Sequence, residues 1–580
     1  MRRNAFIIFS LVMLATFWVN IALGAAPAAS SSVIVVEGKV TDAVGHPVDD
    51  ARVMPYLNGK PYIPESMGRH ADKELTTGKN GLFHFELPIT AEIAEKGSLA
   101  IKVTRQSFRP SETVSLKKIF DEGQDESGLR RWVTHANVKM TRVQGTAFWI
   151  ALVIFVAVYV LIAFEILHRT LAATLGAATV LLITHTLGTF DDGFKLLTWD
   201  QALTTVDWNV VFLLMGMMII VGVLKLSGVF QWLAYKSFQV AKGKIYLLSA
   251  ALCLVTAVTS AFLDNVTTML LLTPVTMEIA LVLGVSPFVF LMPEILASNF
   301  GGTATLIGDP PNIMIGSYAG ITFNDFVINL TPVVVIVLAA QLVYNKLLYG
   351  KVYEKAKVED VPKLLTFLKE KYKINDHRIL RIGGAVLAGV IALFILHGKF
   401  HMEVSVAALF GAALIILLTG TDIVQLLEKE VEWPSLVFFI MLFIVVGGAE
   451  QTGILQAIAD WILGVCQGNL VVAILIILWV SGIASAIVDN IPYTATMLPI
   501  VAFLNTTIPG AESGVLWWSL ALGACFGGNG TIIGASANVV TTGIAEKAGH
   551  KISFGSFCAQ AAPITIISLV ISSVFLLIRY

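Results

Sequence analysis

Apolar runs of membrane length recur along most of the chain. They fall at 146–167, 171–189, 209–230, 328–348, 380–398, 404–420, 433–450 and 560–578, each close to the ~20 residues a helix needs to cross hydrocarbon. Two runs, 245–282 and 469–507, are too long for one span, and each is interrupted by an Asp-Asn pair. Two more, 286–319 and 515–546, are interrupted by Gly-rich segments. A different pattern precedes them. Within 31–143, short alternating stretches (Val33–Val40, Ala51–Tyr56, Leu82–Leu87, Leu99–Thr104) stand between Gly, Asn and Pro. Period-two alternation with turn punctuation predicts a small β-sandwich. The expected fold is therefore an α-helical polytopic membrane protein with a small β-sandwich at its N-terminus.

The membrane part is written twice. Trp208, Gly222, Gly228, Gln231, Asp264 and Pro274 recur 225 residues on as Trp433, Gly447, Gly453, Gln456, Asp489 and Pro499. At an offset of 226, Gly301-Gly302, Thr305, Gly308 and Asn312 recur as Gly527-Gly528, Thr531, Gly534 and Asn538. Chance similarity of apolar sequence does not align Trp, Gly, Asp, Asn and Pro together. The first copy carries Lys225, Lys236, Lys242 and Lys244 around and after Gly228, whereas Glu450 to Leu470 in the second holds no Lys or Arg. The same element thus faces opposite sides. Five crossings plus one re-entrant hairpin per half give an odd count, so the repeats are inverted. Repeat one is expected at 144–348, a basic loop at 349–379 and repeat two at 380–580.

Both interruptions carry chemistry. A carboxylate in hydrocarbon costs roughly 2.5–3.5 kcal/mol on insertion scales, and the duplication places one in each copy. Asp264-Asn265 and Asp489-Asn490 read as the tips of two hairpins, with Thr267 and Thr494 in the first turns beyond. Each Asp caps a helix N-terminus or binds a cation or proton; Asn or Ser would cap without the charge. The Thr hydroxyls cap freed backbone or coordinate a cation. The Gly-rich segments hold Gly301, Gly302, Thr305, Gly308, Asp309, Pro310, Pro311 and Asn312 in one half, and Gly527, Gly528, Thr531, Gly534 and Asn538 in the other. They read as unwound helices that free carbonyls for cations and expose half-helix N-termini to anions. Small-residue packing faces are the alternative, which Pro310-Pro311 and Asp309 disfavour. Asp309 has no acidic counterpart, its matching position being Ala535. The duplication predicts one central site, with Na+ possible at Asp264, Asn265, Asp489 and Asn490.

Composition agrees. The chain has 580 residues, 56% hydrophobic and 14% charged, with net charge −1, and its mean hydropathy is +0.79. No nucleic-acid partner is implied. Residues 1–30, with Arg2, Arg3 and an apolar run ending in small residues, read as a signal peptide; an uncleaved anchor is the rival. Ten Lys and Arg lie between Tyr344 and Arg381, and Asp191, Asp192, Asp200 and Asp207 surround a single Lys195. The positive-inside rule makes the first loop cytoplasmic, the second external and 31–143 periplasmic or extracellular, in an inner (plasma) membrane. Cys253, Cys466, Cys525 and Cys558 all lie in the apolar part and suggest no disulfide or zinc site. There is no phosphate loop, nucleophile elbow or His-rich cluster. The chain reads as no enzyme, needing no cofactor, and any uphill movement must draw on an ion gradient.

Two resemblances add to this. The pattern from Val36 to Val53, V-x-G-x-V-x-D-x-x-G-x-P-x-x-x-A-x-V, resembles the carboxypeptidase regulatory-like (transthyretin-like) sandwich, which implies a binding or spacing module with an unknown ligand. SAFLDNVTTMLLLTPVT, GGTATLIGDPPNIMIGSYAG and FGGNGTIIGASANVV resemble the P protein/arsenite permease branch of the ion transporter superfamily, with citrate-transporter-like and sodium–proton antiporter-like members. That resemblance, over 146–580, implies elevator-type alternating access, a homodimer in the lipid bilayer and a small inorganic ion as substrate. Sodium–dicarboxylate relatives carry Ser-Asn-Thr at their tips; the Asp here resembles the antiporter branch, with Asn265 and Asn490 carried over as cation ligands. The expected function is Na+/H+ (cation/proton) antiport. The alternatives are an anion or metalloid permease or Na+-coupled anion symporter, and a ligand sensor whose membrane part does not transport.

Overall fold

The computed structural model describes residues 32–42, 45, 47–48, 50–63, 75–78, 80–88, 99–105, 107–116, 119–124, 130–355, 366 and 368–580. The expected signal segment 1–30 and part of the basic loop lie outside the described residues. Two compact units meet at Gln144/Gly145.

The first unit contains eight strands among the described residues: β1 (Ser32–Asp42), β2 (Arg52–Leu57), β3 (Lys60–Pro61), β4 (Leu82–Pro88), β5 (Leu99–Thr104), β6 (Val114–Ser115), β7 (Ile119–Gln124) and β8 (Arg130–Met140). They form two four-stranded sheets, in the orders β4-β1-β8-β7 and β3-β2-β5-β6. β1 pairs parallel with β8 and antiparallel with β4. Alternation drives each strand inward on one face: Phe83, Phe85 and Leu87 are buried while Leu82, His84 and Glu86 are exposed. Val36, Val53, Phe85, Ile101 and Val138 join both sheets in one core. Gly38 sits where a Cβ would lie 1.8 Å from the Ala136 carbonyl oxygen, so the β1–β8 approach requires glycine.

The second unit is helical. Nine principal helices make its first half: α1 (Thr146–Ala163), α2 (Arg169–His185), α3 (Trp208–Leu226), α4 (Val229–Ala241), α5 (Ile245–Phe262), α6 (Asn265–Val282), α7 (Phe288–Gly302), α8 (Pro310–Ala319) and α9 (Phe323–Lys355). Nine more make the second: α10 (His377–Phe400), α11 (Val404–Thr419), α12 (Trp433–Gln451), α13 (Ile454–Cys466), α14 (Leu470–Ile487), α15 (Asn490–Thr507), α16 (Val515–Gly527), α17 (Ser536–Lys547) and α18 (Phe554–Arg579). The bounds of α3 to α6 recur in α12 to α15 with the 225-residue offset kept at both ends of every helix. The tight corners between α3 and α4 and between α12 and α13 turn on Gly228 and Gly453, whose φ angles are +80° and +88°.

Packing between the halves is reciprocal. α2 packs on α12 and α3 on α11; α6 packs on α17 and α15 on α8. That exchange is what a two-fold relation between halves requires. Each half crosses with α1, α2, α3, the broken pair α7–α8 and α9, or their counterparts, and the odd number inverts the second half. Ten helices among the described residues are long and apolar enough to span a membrane, α5, α6 and α14 among them. These three belong to the hairpins α5–α6 and α14–α15, whose tips meet, as described below. Arms of 18 residues are about 27 Å long at ~1.5 Å per residue. Two such arms meeting from opposite faces exceed a ~30 Å hydrocarbon core, so they tilt or extend beyond it.

Glycine faces press each broken helix onto its hairpin. A Cβ on Gly301 would lie 2.2 Å from the Ala257 carbonyl oxygen, and one on Gly527 2.3 Å from that of Gly482. Gly350, on α9, has open space. Gly301→Ala is therefore expected to destabilise the protein by about 1–3 kcal/mol through overpacking, while Gly350→Ala raises stability by up to ~1 kcal/mol through helix propensity. Thermal unfolding in detergent checks both; equal midpoints for the two variants would contradict the close approach.

Candidate functional site

The broken helices set the site. α7 ends at Gly302 and helix resumes only at Pro310; α16 ends at Gly527 and, after a short 3-10 turn, helix resumes at Ser536. Carbonyls freed at this depth need donors. Asn312 supplies them in the first half, its Nδ2 donating to the carbonyls of Thr303 (3.0 Å) and Thr305 (2.8 Å). Asn538 does the same in the second, donating to Gly528 and Thr531 (both 2.8 Å). The Thr305 hydroxyl donates to the carbonyl of Ala261 and that of Thr531 to Ala486, tying each break to its own hairpin. Each loop doubles back so closely that a Cβ on Gly302 would meet the Gly308 carbonyl at 2.5 Å, and one on Gly528 the Gly534 carbonyl at 2.9 Å. Gly-rich composition here serves backbone contact. Pro310 and Pro311 start α8, where a missing N–H costs no helical bond.

Asp309 lies at the centre of the junction. It is fully buried, and its Oδ1 accepts from Asn265 Nδ2 (3.3 Å) and from Asn490 Nδ2 (3.2 Å). One carboxylate oxygen is thus shared by both hairpin tips. Asn265 also donates to Asn299 Oδ1 (3.0 Å), and Asn299 donates to Asn529 Oδ1 and Asn538 Oδ1 (both 2.9 Å). A chain of amides therefore links the two tips and the two breaks. Two buried atoms in it have no partner, the acceptor Asp309 Oδ2 and the donor Asn529 Nδ2.

The two tip carboxylates diverge. Both cap a helix, as their position requires. Asp264 accepts from the Thr267 backbone N–H (2.8 Å) and hydroxyl (2.5 Å). No basic side chain acts on it among the described residues. Asp489 accepts from the Ile491 N–H (3.0 Å) and Ser536 hydroxyl (3.0 Å) and pairs with Arg169 at 3.1 Å. Arg169 comes from α2, donates also to the hydroxyls of Ser536 and Ser435, and lies over the Phe438 ring. A cavity of 250 Å³ opens beside the first tip, lined by Lys225, Glu430, Glu432 and Thr267 among others. Lys225 and Glu430 pair at 2.9 Å within its lining.

Of the residues singled out by sequence, Asn265, Asn490 and Asp309 come together. Asp264 and Asp489 do not share a contact, and the Thr494 hydroxyl is spent on the Asn490 carbonyl (2.7 Å). Asn299, Asn529 and Arg169 belong to the same network. Asn299 lies two residues before Gly301, and Asn529 lies between Gly528 and Gly530, both buried polar residues. Arg169 is a basic residue between two early spans, and no sequence pattern ties it to Asp489, 320 residues away.

Comparison with known proteins places this architecture. The chain matches the citrate transporter family CitMHS over residues 159–523. It is 45% identical over 433 residues to an uncharacterized transporter of Mycobacterium tuberculosis, covering 74% of this chain and 98% of that protein. It is 40% identical over 434 residues to the 46 kDa membrane protein of Mycobacterium leprae, with the same coverage. With the P protein of Homo sapiens it shares 33% identity over 513 residues, 74% of this chain and 60% of that protein. The crystal structure of the Alcanivorax borkumensis YdaH transporter superposes with a TM-score of 0.50 at 17% identity, over 71% of this chain and 98% of that one, and so shares the fold. The chain belongs to the citrate transporter family of the ion transporter superfamily, and is a multi-pass membrane transporter, not an enzyme.

Proposed function

We propose that this secondary transporter exchanges a monovalent cation, Na+ foremost, for protons at the Asp309 junction. The observation that carries the reading is the shared Asp309 oxygen, with its second oxygen left unpartnered in a buried, amide-lined site. A buried carboxylate with one oxygen unpartnered suits a hard cation or a proton, which compete for the same charge. In this reading Asp264 stands on the ion's route to the junction, beside the 250 Å³ cavity and in no ion pair among the described residues. Asp489 is already neutralised by Arg169, which favours one exchanging tip over two.

The packing supports an elevator. In this reading α1–α3 and α10–α12 form the frame, and the hairpins move together with α4 and α13 packed on them, the broken helices, α9 and α18. The Arg169–Asp489 pair then joins frame to mobile unit and breaks when the unit slides. A homodimer held through the frame, the basic loop inside and an exported β domain complete the proposal, the last two resting on loop charge. Carboxylate-anion symport is the second reading. It is favoured by the family's description as a citrate transporter and by the N-terminus of α17, which has no side-chain cap at Ala535.

In proteoliposomes, Asp309→Asn is expected to cut Na+-driven proton flux roughly 100-fold, the equivalent of ~2–3 kcal/mol for a charged ligand in a dry site. Wild-type flux and pH profile in that variant would overturn the reading. Asp264→Asn is expected to raise the half-saturating Na+ concentration about tenfold, or ~1.4 kcal/mol, with an unchanged unfolding midpoint; an unmoved Na+ dependence would remove Asp264 from the route. Asp489→Asn leaves Arg169 without its counter-charge and costs about 2 kcal/mol of stability, between the values for exposed and fully buried pairs. The Arg169→Leu/Asp489→Leu double variant costs less than the two single changes summed, and additive unfolding energies would contradict the pair.

A further inference from the structure

The first half holds a second buried carboxylate that the junction does not use. Glu294, on α7, is fully buried, and its Oε1 accepts from the Thr276 hydroxyl of α6 at 2.9 Å. Its Oε2 has no partner. Gln341 of α9 donates Nε2 to the carbonyl of Pro293, the residue before Glu294, at 2.6 Å, and its Oε1 is unpartnered. One turn on, Asn345 points Nδ2 at Cys253 Sγ of α5 (3.9 Å), and its Oδ1 is unpartnered as well. Cys253 in turn lies within electrostatic reach of Glu294, and Glu294 is in no ion pair among the described residues. Four helices thus converge on one negative charge and three orphaned acceptor oxygens.

That donor set constrains the occupant. An isolated buried carboxylate is costly, and every orphaned buried acceptor adds its own desolvation penalty. A proton on Glu294 supplies a single donor and satisfies one oxygen at most. A hard cation accepts several oxygen ligands at once and cancels the charge. One negative charge matches a monovalent ion. The duplicated half supports this, because the fold does not need the pocket: Cys253, Thr276 and Glu294 correspond to Leu478, Val501 and Leu520. Asn299, five residues beyond Glu294, lies on a different face of α7 and serves the junction, so the two carboxylates occupy separate sites.

We propose that Glu294, Gln341 and Asn345 form a second site, for a dehydrated monovalent cation of the sodium class, within the first half of the transporter. The test is equilibrium binding of radioactive Na+ to the purified full chain at fixed pH, with N-methylglucamine as the inert cation, alongside the Na+-dependent shift of the unfolding midpoint. Asp309→Asn is expected to keep about one Na+ per chain and a Na+-dependent midpoint. Adding Glu294→Gln, or Glu294→Leu as in the duplicate, removes both. Retention of Na+ binding after the Glu294 change overturns the second site, as does a well-folded Asp309→Asn protein that binds no Na+. Asp309→Asn binding as much Na+ as wild type would instead count against the junction reading alone.

Discussion

A charge held at membrane depth governs this architecture. Asp309 is fully buried, and one of its oxygens accepts from the amides of both Asn265 and Asn490, with the Cys525 thiol beside the carboxyl. For both to reach one oxygen, the tips of the two hairpins must end at the same depth. Their tips then occupy space a continuous helix would fill, so α7–α8 and α16–α17 break there. Broken helices free carbonyls that hydrocarbon cannot satisfy, and Asn312 and Asn538 take them up. Glycine at 301, 302, 527 and 528 lets the backbones approach closely enough for those bonds. The β domain is a separate compact unit and takes no part in this chain of constraints.

The backbone is close to two-fold, but the chemistry departs from it. Asp309 corresponds to Ala535 and Glu294 to Leu520 in the repeat, and Asp489 is paired with Arg169 while Asp264 is in no ion pair among the described residues. Symmetry supplies the mutual closure of two breaks and two tips. In the proposed mechanism function resides in the departures, because a transporter needs one substrate site and a way to alternate access to it. The Arg169–Asp489 pair ties a frame helix to the second hairpin; the 250 Å³ cavity lies by the first.

The repeat, the hairpin tips and the Gly-rich breaks were legible because each leaves a local mark: a charge in an apolar run, a double proline, a glycine cluster. The four strands with hydrophobic alternation were legible for the same reason. β8 is obscured by Arg130-Arg131 at its start and by His135, Asn137 and Lys139 on its solvent face, and its parallel pairing with β1 joins residues about 100 apart. The sharing of Asp309 by both tips and the reach of Arg169 to Asp489 depend on tertiary approach, which offsets of 225 and 226 residues do not encode. The sequence pointed to Asp264, Asn265, Asp489 and Asn490 as one centre and to Asp309 in the broken helix; the structure brings Asn265 and Asn490 together on Asp309 and leaves Asp264 and Asp489 apart.

The central claim is that a cation and a proton compete for one buried carboxylate. It is tested most directly by imposing an inward Na+ gradient on proteoliposomes that hold a trapped pH dye, with no organic anion present. Internal alkalinisation that scales with the Na+ gradient is the predicted result. An internal pH that stays constant until citrate or another carboxylate is added would contradict it.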